Sequence, residues 1–132
     1  MEASELVERL QFFDDWHDRY AYLIDLGKKL PEMDDSDKTE VTRVKGCMSQ
    51  VWLVLRPTEG VPDAFDVIAD SDSVIVRGLI FVVQSVYSGR TREQMKTADI
   101  DKVFSDIGLD QHLSPNRRNG FFSMVERIRT GG

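Results

Sequence analysis

The feature that most constrains this chain is a change of hydrophobic period near its middle. Val51-Trp52-Leu53-Val54-Leu55 is a short apolar run that suits a buried strand, and Phe65, Val67 and Ala69 alternate as a second strand should. Pro57-Thr58-Glu59-Gly60 marks a turn between them, so the two runs predict an antiparallel pair. After Asp70-Ser71-Asp72 the period lengthens, and Ile75, Leu79, Val82, Val83 and Val86 fall on one helical face. That segment is rich in β-branched residues, yet its length favours a helix.

The rest of the chain reads as helices. Leu6, Leu10 and Phe13 share a face behind Ser4, the expected cap of a first helix. Trp16, Tyr20, Leu23, Ile24 and Gly27 mark a second, with Pro31 after its end, and this aromatic stripe is expected in the core. Residues 31–42 are polar and acidic, an exposed connection, and Val44 is a candidate start for one more short strand. Asp72 or Ser73 is expected to cap the helix of Ile75, with Gly89 beyond its end. Thr91-x-x-Gln94 has the form of a capping box, and Asp101 to Ile107 is closed by Gly108. Ser114 followed by Pro115 opens a last helix with Phe121, Met124, Val125 and Ile128 inward. The fold class is therefore α+β, a small antiparallel sheet flanked by helices, in a single domain over 1–132.

Charge and cysteine content narrow the function. Seventeen basic residues against twenty-three acidic ones give a net charge of −6, which argues against nucleic acid or an anionic membrane as partner. No apolar run approaches the ~20 residues of a membrane-spanning helix, and Met1-Glu2-Ala3-Ser4-Glu5 lacks a signal-peptide pattern. With one cysteine no internal disulfide can form, so a cytoplasmic protein is expected.

That cysteine, Cys47, stands between Gly46 and Met48, just ahead of the apolar strand. A lone cysteine is often a buried, inert hydrophobe. Three features point to reactivity instead: the turning freedom of Gly46, the positive charge of Arg43 and Lys45, and a place at a strand entrance. His17 and His112 lie far apart in sequence and offer no metal-ligand spacing, so no metal site is expected. A single thiol also suits a persulfide carrier, because a second one would attack the inner sulfur and release sulfide.

Gly46-Cys47-Met48-Ser49-Gln50-Val51-Trp52-Leu53 resembles the active-site segment of the SufE family, which includes CsdE. The likeness extends to Trp16-x-x-Arg19-Tyr20-x-Tyr22, Leu26-Gly27-x-x-Leu30-Pro31, Asp70-Ser71-Asp72 with Arg77-Gly78-Leu79, and Gln111-His112-Leu113-Ser114-Pro115-Asn116-Arg117-x-Asn119-Gly120. The resemblance implies a SufE/IscU-like fold. It also implies that Cys47 accepts persulfide sulfur from a SufS-type cysteine desulfurase and passes it to a SufB-containing scaffold complex for iron–sulfur cluster assembly. Pyridoxal phosphate belongs to the desulfurase, and this chain is expected to bind no cofactor. Met48 departs from the family's usual Gln, and Arg77 stands where Lys is common.

Other candidate roles follow from position. Gln50 and Trp52, with Ser49, are expected to hold the loop. Asp72, Arg77 and Arg117 are expected to control it or dock the desulfurase, against an ordinary capping or ion-pairing role. His112 is placed with them as a partner-binding or loop-control residue and is also a candidate base for Cys47, against an ordinary structural role. Two other functions stay open on residues alone: a stand-alone thiol enzyme using Cys47, His112 and Asp72, or an interaction module with an inert Cys47. Burial among Met48, Val51 and Trp52 favours the neutral thiol, while Arg43 and Lys45 favour the thiolate.

Overall fold

Residues 1–131 are described by a computed structural model. The expected hairpin forms: β1 (Val51–Pro57) and β2 (Ala64–Ser71) pair antiparallel, with Val51 opposite Ser71 and Pro57 opposite Phe65. This register puts Val51, Leu53, Val67, Ala69 and Ser71 on one buried face. Trp52, Val54 and Ile68 lie on the other face, which is only half covered. Helices therefore gather on one side of the sheet, as suits an antiparallel sheet with alternating burial.

The helices are α1 (Ala3–Gln11), α2 (Trp16–Gly27), α3 (Val74–Tyr87), α4 (Arg92–Thr97), α5 (Ile100–Ile107), α6 (Leu109–His112) and α7 (Pro115–Arg129). Helix α3 is the central one, with Leu79, Ile80, Val82 and Val83 almost fully buried. It crosses α2 very closely. A Cβ on Gly78 would lie 2.5 Å from the Leu23 carbonyl oxygen, so backbone touches backbone there. The capping box at Thr91 and Gln94, the left-handed Gly108 and the Ser114–Pro115 start all appear as expected. No helix among the described residues is long and apolar enough to cross a membrane.

Several local expectations are corrected. Helix α1 begins at Ala3 behind Glu2, so Ser4 lies inside the first turn rather than capping it. Ser73 takes the cap position of α3 without a side-chain hydrogen bond, and Asp72 bonds elsewhere. Val44 starts no strand. Arg43 makes a single bridge to Trp52, and the third strand is β3 (Arg90–Thr91), paired to β2. Two residues carry no readable period, which is why β3 escaped the pattern. The stripe on α2 is not all core: Leu23 and Gly27 are buried, but Trp16, Tyr20 and Ile24 are half-exposed around a surface hollow. The connection 31–42 is mostly exposed, with Met33 tucked in and a short 3-10 turn at Asp35–Asp37.

Candidate functional site at Cys47

The segment before β1 is held by long-range contacts. Arg127 of α7 donates to the carbonyl oxygens of Arg43, at 2.9 Å, and Val41. The Val44 N–H donates to the Val51 carbonyl at 2.8 Å, closing the loop that carries Cys47. Gly46 at φ +88° turns the chain, and a Cβ there would meet Ser123 Oγ at 2.7 Å. The backbone region favours glycine, and any larger residue would also have to turn the Ser123 hydroxyl aside. At the far end, the Gln50 N–H donates to Asp72 Oδ1 at 3.1 Å, and the Asp72 N–H donates to the Gln50 carbonyl at 3.3 Å. Asp72 thus pins the loop's exit to the start of α3.

Between these anchors the Cys47 side chain is half-buried against α7. Its S–H donates a long bond, 3.6 Å, to the Gly120 carbonyl oxygen. A Cβ on Gly120 would stand 3.4 Å from Sγ, so this glycine gives the sulfur its room. Beside the sulfur is a cavity of about 40 Å³. Val51, Val76, Leu79, Phe121 and Met124 form its apolar lining, and Met48, Ser49, Asn116 and Arg117 complete it. Burial pushes the Cys47 thiol above its ordinary pKa, and Arg43 pulls partly the other way. Lys45 is exposed and paired with Glu40 at 3.1 Å.

The expected site residues separate into two groups. Gly46, Cys47, Met48, Ser49, Gln50, Asp72 and Arg117 gather at or around the cavity. Met48 lines it while remaining 81% exposed. Trp52 and Arg77 belong elsewhere. Trp52 lies on the open sheet face with the Lys38 ammonium 5.4 Å from its ring centroid. Arg77 pairs with Asp70 at 3.4 Å, and Asp70 pairs with Lys38 at 3.1 Å. The Arg77 Nε is buried, and its approach to Asp70 is an ion pair without hydrogen-bond alignment. His112 stacks on Trp16, with centroids 4.4 Å apart, and does not line the cavity. Cys47, His112 and Asp72 are therefore not brought together as nucleophile, base and orienter.

Gly120, Asn116, Val76 and Met124 were not assigned to the site from the sequence, although Asn116 and Gly120 stand in the last of the quoted motifs and Met124 on the inward face of the last helix. A glycine inside the helix that begins at Ser114 was the available signal for Gly120, because helix interiors disfavour glycine without a packing reason. Among the described residues no three or more His, Cys, Asp or Glu side chains gather to hold a metal.

A family model described as "SufE: Fe-S metabolism associated domain" matches residues 4–131. The chain belongs to the SufE family. An uncharacterized SufE-like protein of Rhizobium etli is 45% identical over 130 residues, covering 96% of this chain and 86% of that one. Another, from Rhizobium meliloti, is 41% identical, covering 96% and 91%. The solution structure of a hypothetical protein from Thermus thermophilus superposes with a TM-score of 0.76 at 15% identity, covering 97% of this chain and 90% of that one. At that identity it establishes the fold alone. SufE membership places the chain in iron–sulfur metabolism and supports a sulfur-transfer role there.

Proposed function

We propose that this chain is a persulfide acceptor. Cys47 takes sulfur from a pyridoxal-phosphate-dependent cysteine desulfurase of the SufS type, stimulates that enzyme by unloading it, and passes the sulfur to a SufB-containing scaffold complex. The observation that carries this reading is the small, largely apolar cavity beside the only cysteine. Its volume, about 40 Å³, exceeds the roughly 10–15 Å³ that one water-sized body requires. One further sulfur atom fits there.

The step is thiol exchange. The Cys47 thiolate attacks the outer sulfur of the partner's cysteine persulfide, and the partner's sulfur–sulfur bond breaks. Its inner sulfur leaves as a thiolate and takes up a proton, while Cys47 keeps the outer sulfur. No net oxidation or reduction occurs. An unperturbed thiol is only a few per cent ionised near neutrality, and burial lowers that fraction further here. Docking supplies the compensation, since holding two reacting groups in place is worth about 7–11 kcal/mol. Partner docking would shift the loop at Gly46 and bring the sulfur out. The pyridoxal phosphate stays on the desulfurase, and a cytoplasmic, reducing setting suits a lone free thiol.

Intact-mass spectrometry after incubation with a desulfurase and cysteine tests this. One added sulfur atom is expected on Cys47, and Cys47→Ser should show neither the addition nor stimulation of the desulfurase. Full stimulation by the serine variant would overturn the acceptor role.

A further inference from the structure

Two segments that are remote in sequence meet beside the cavity. Among the described residues lining it, Arg117 of α7 is the only charged one. Its Nη1 donates to the Tyr20 hydroxyl of α2 at 2.5 Å across 97 residues of chain, and its guanidinium carbon lies 5.8 Å from the Tyr20 ring centroid. Tyr20 is itself confined. Its ring meets Trp16 edge-on, with centroids 6.3 Å apart, and Trp16 stacks on His112. The half-exposed aromatic stripe of α2 therefore ends, through one hydroxyl, on the guanidinium of a residue that lines the cavity.

The chemistry of a persulfide gives that cation a purpose. The outer sulfur of a persulfide is more acidic than a thiol and carries negative charge near neutrality. A charge facing apolar walls is costly unless a partner offsets it. Val51, Val76, Leu79, Phe121 and Met124 offer none. An exposed arginine without a second contact would spread over many rotamers and meet the anion only part of the time.

We infer that Tyr20 is a positioning residue that fixes the Arg117 guanidinium at the Cys47 cavity, where it faces the anionic outer sulfur of the bound persulfide. This rests on the persulfide-acceptor reading above. Its test needs no persulfide, so the two can fail separately.

The test uses two alkylating reagents on the sulfur-free protein, anionic iodoacetate and neutral iodoacetamide. The ratio of their rates at Cys47 reports positive charge beside the thiol. At low ionic strength the wild-type ratio is expected to exceed that of Arg117→Gln by about threefold. Tyr20→Phe should lose most of this excess, while the iodoacetamide rate, which feels the charge only through the thiolate fraction, falls by no more than about twofold. Adding Tyr20→Phe to Arg117→Gln should do nothing more. An unchanged ratio in Tyr20→Phe, or an equal drop with and without Arg117, overturns the inference. NMR of the unaltered protein gives a second reading that no folding defect can obscure. The Arg117 Nε–H order parameter is expected above the ~0.6 that marks a flexible group. A mobile Arg117 side chain there overturns the inference as well.

Discussion

Two hollows on this molecule differ in size and in what their polar groups are doing. The larger, about 510 Å³, is lined by Phe81, Gln84, Ser85, Ser88, Arg90 and neighbours from the N-terminus. Three of its polar side chains are already committed to the fold. Gln84 donates to the Val67 carbonyl at 3.0 Å, the Val67 N–H donates to Ser88 Oγ at 2.9 Å, and Arg90 donates to the Val86 carbonyl at 2.5 Å. These bonds tie α3 to β2 and β3. The smaller hollow at Cys47 does the reverse. Its one reactive group makes a single long bond, and its apolar walls satisfy nothing. Volume is thus a poor guide to chemistry in this molecule. The site is where the fold confines a reactive atom without committing it.

The largest expected effect on this contrast comes from loosening the loop. Gly46→Ala meets a left-handed backbone, which costs an ordinary residue about 1–2 kcal/mol. It also meets Ser123 Oγ at 2.7 Å. A loss of about 2–3 kcal/mol in denaturant unfolding is expected. Iodoacetamide should also label Cys47 roughly tenfold faster, because local opening exposes the thiol. Wild-type labelling in a destabilised variant would show that the loop does not confine the sulfur.

A smaller effect comes from filling the room beside the sulfur. Gly120→Ala puts a methyl group at ordinary contact distance, 3.4 Å, from Sγ. Alanine is the better helix former by up to about 1 kcal/mol, so α7 should become slightly more stable. Sulfur loading by a desulfurase should nevertheless slow about threefold, since the methyl takes space the outer sulfur needs. Equal loading with raised stability would mean that the outer sulfur points away from Gly120.

The same contrast explains what the sequence made legible. Periodicity found the hairpin and α3 because a half-buried sheet and a buried helix stamp their periods on the chain. It found the Cys47 loop because glycine beside a lone cysteine is a local signal. It did not find the cavity walls. Val76, Met124 and Gly120 are ordinary residues that become a site only when α3 and α7 pack over the loop. The outward turn of Trp16 and Tyr20 was hidden for a related reason. Helical spacing gives a face, but only tertiary packing says whether that face is covered, and here it borders a hollow. Asp72 is the intermediate case. Its position before a helix suggested a cap, and the packing assigned it to the Gln50 N–H across 22 residues instead.

Charge at the thiol is a finer adjustment. Burial dominates the raised pKa of Cys47, and Arg43 opposes it. Because the thiolate is the reactive form, the pH–rate profile for alkylation should lie at higher pH than that of a free cysteine peptide. Arg43→Gln removes the opposing charge, raises the thiol further and moves the profile higher still. At neutral pH the labelling rate should fall by no more than about twofold, because Arg43 is partly solvated and its charge is screened. Faster labelling in Arg43→Gln would reverse the sign and show that Arg43 acts through loop structure, where its carbonyl already receives Arg127.

The smallest expected effect on sulfur chemistry belongs to the larger hollow, and it tests the contrast itself. Ser88→Ala removes the acceptor of the Val67 N–H, whose residue is 1% exposed. An unsatisfied buried donor costs about 1–3 kcal/mol. The Gln84 bond to the Val67 carbonyl remains to hold the strand in place. Denaturant unfolding should therefore show a loss of about 1–2 kcal/mol, with the transition slope unchanged. Sulfur loading and the Cys47 alkylation rate should match the wild type at temperatures well below unfolding. The reason is mechanical: Ser88 and Val67 bind α3 to β2 at the end opposite to the Asp72–Gln50 contact, which lies with Val76 at the start of α3, where the helix meets the loop. If loading fell in Ser88→Ala while the protein stayed folded, the two hollows would be coupled through α3. The division between a structural hollow and a chemical one would then fail.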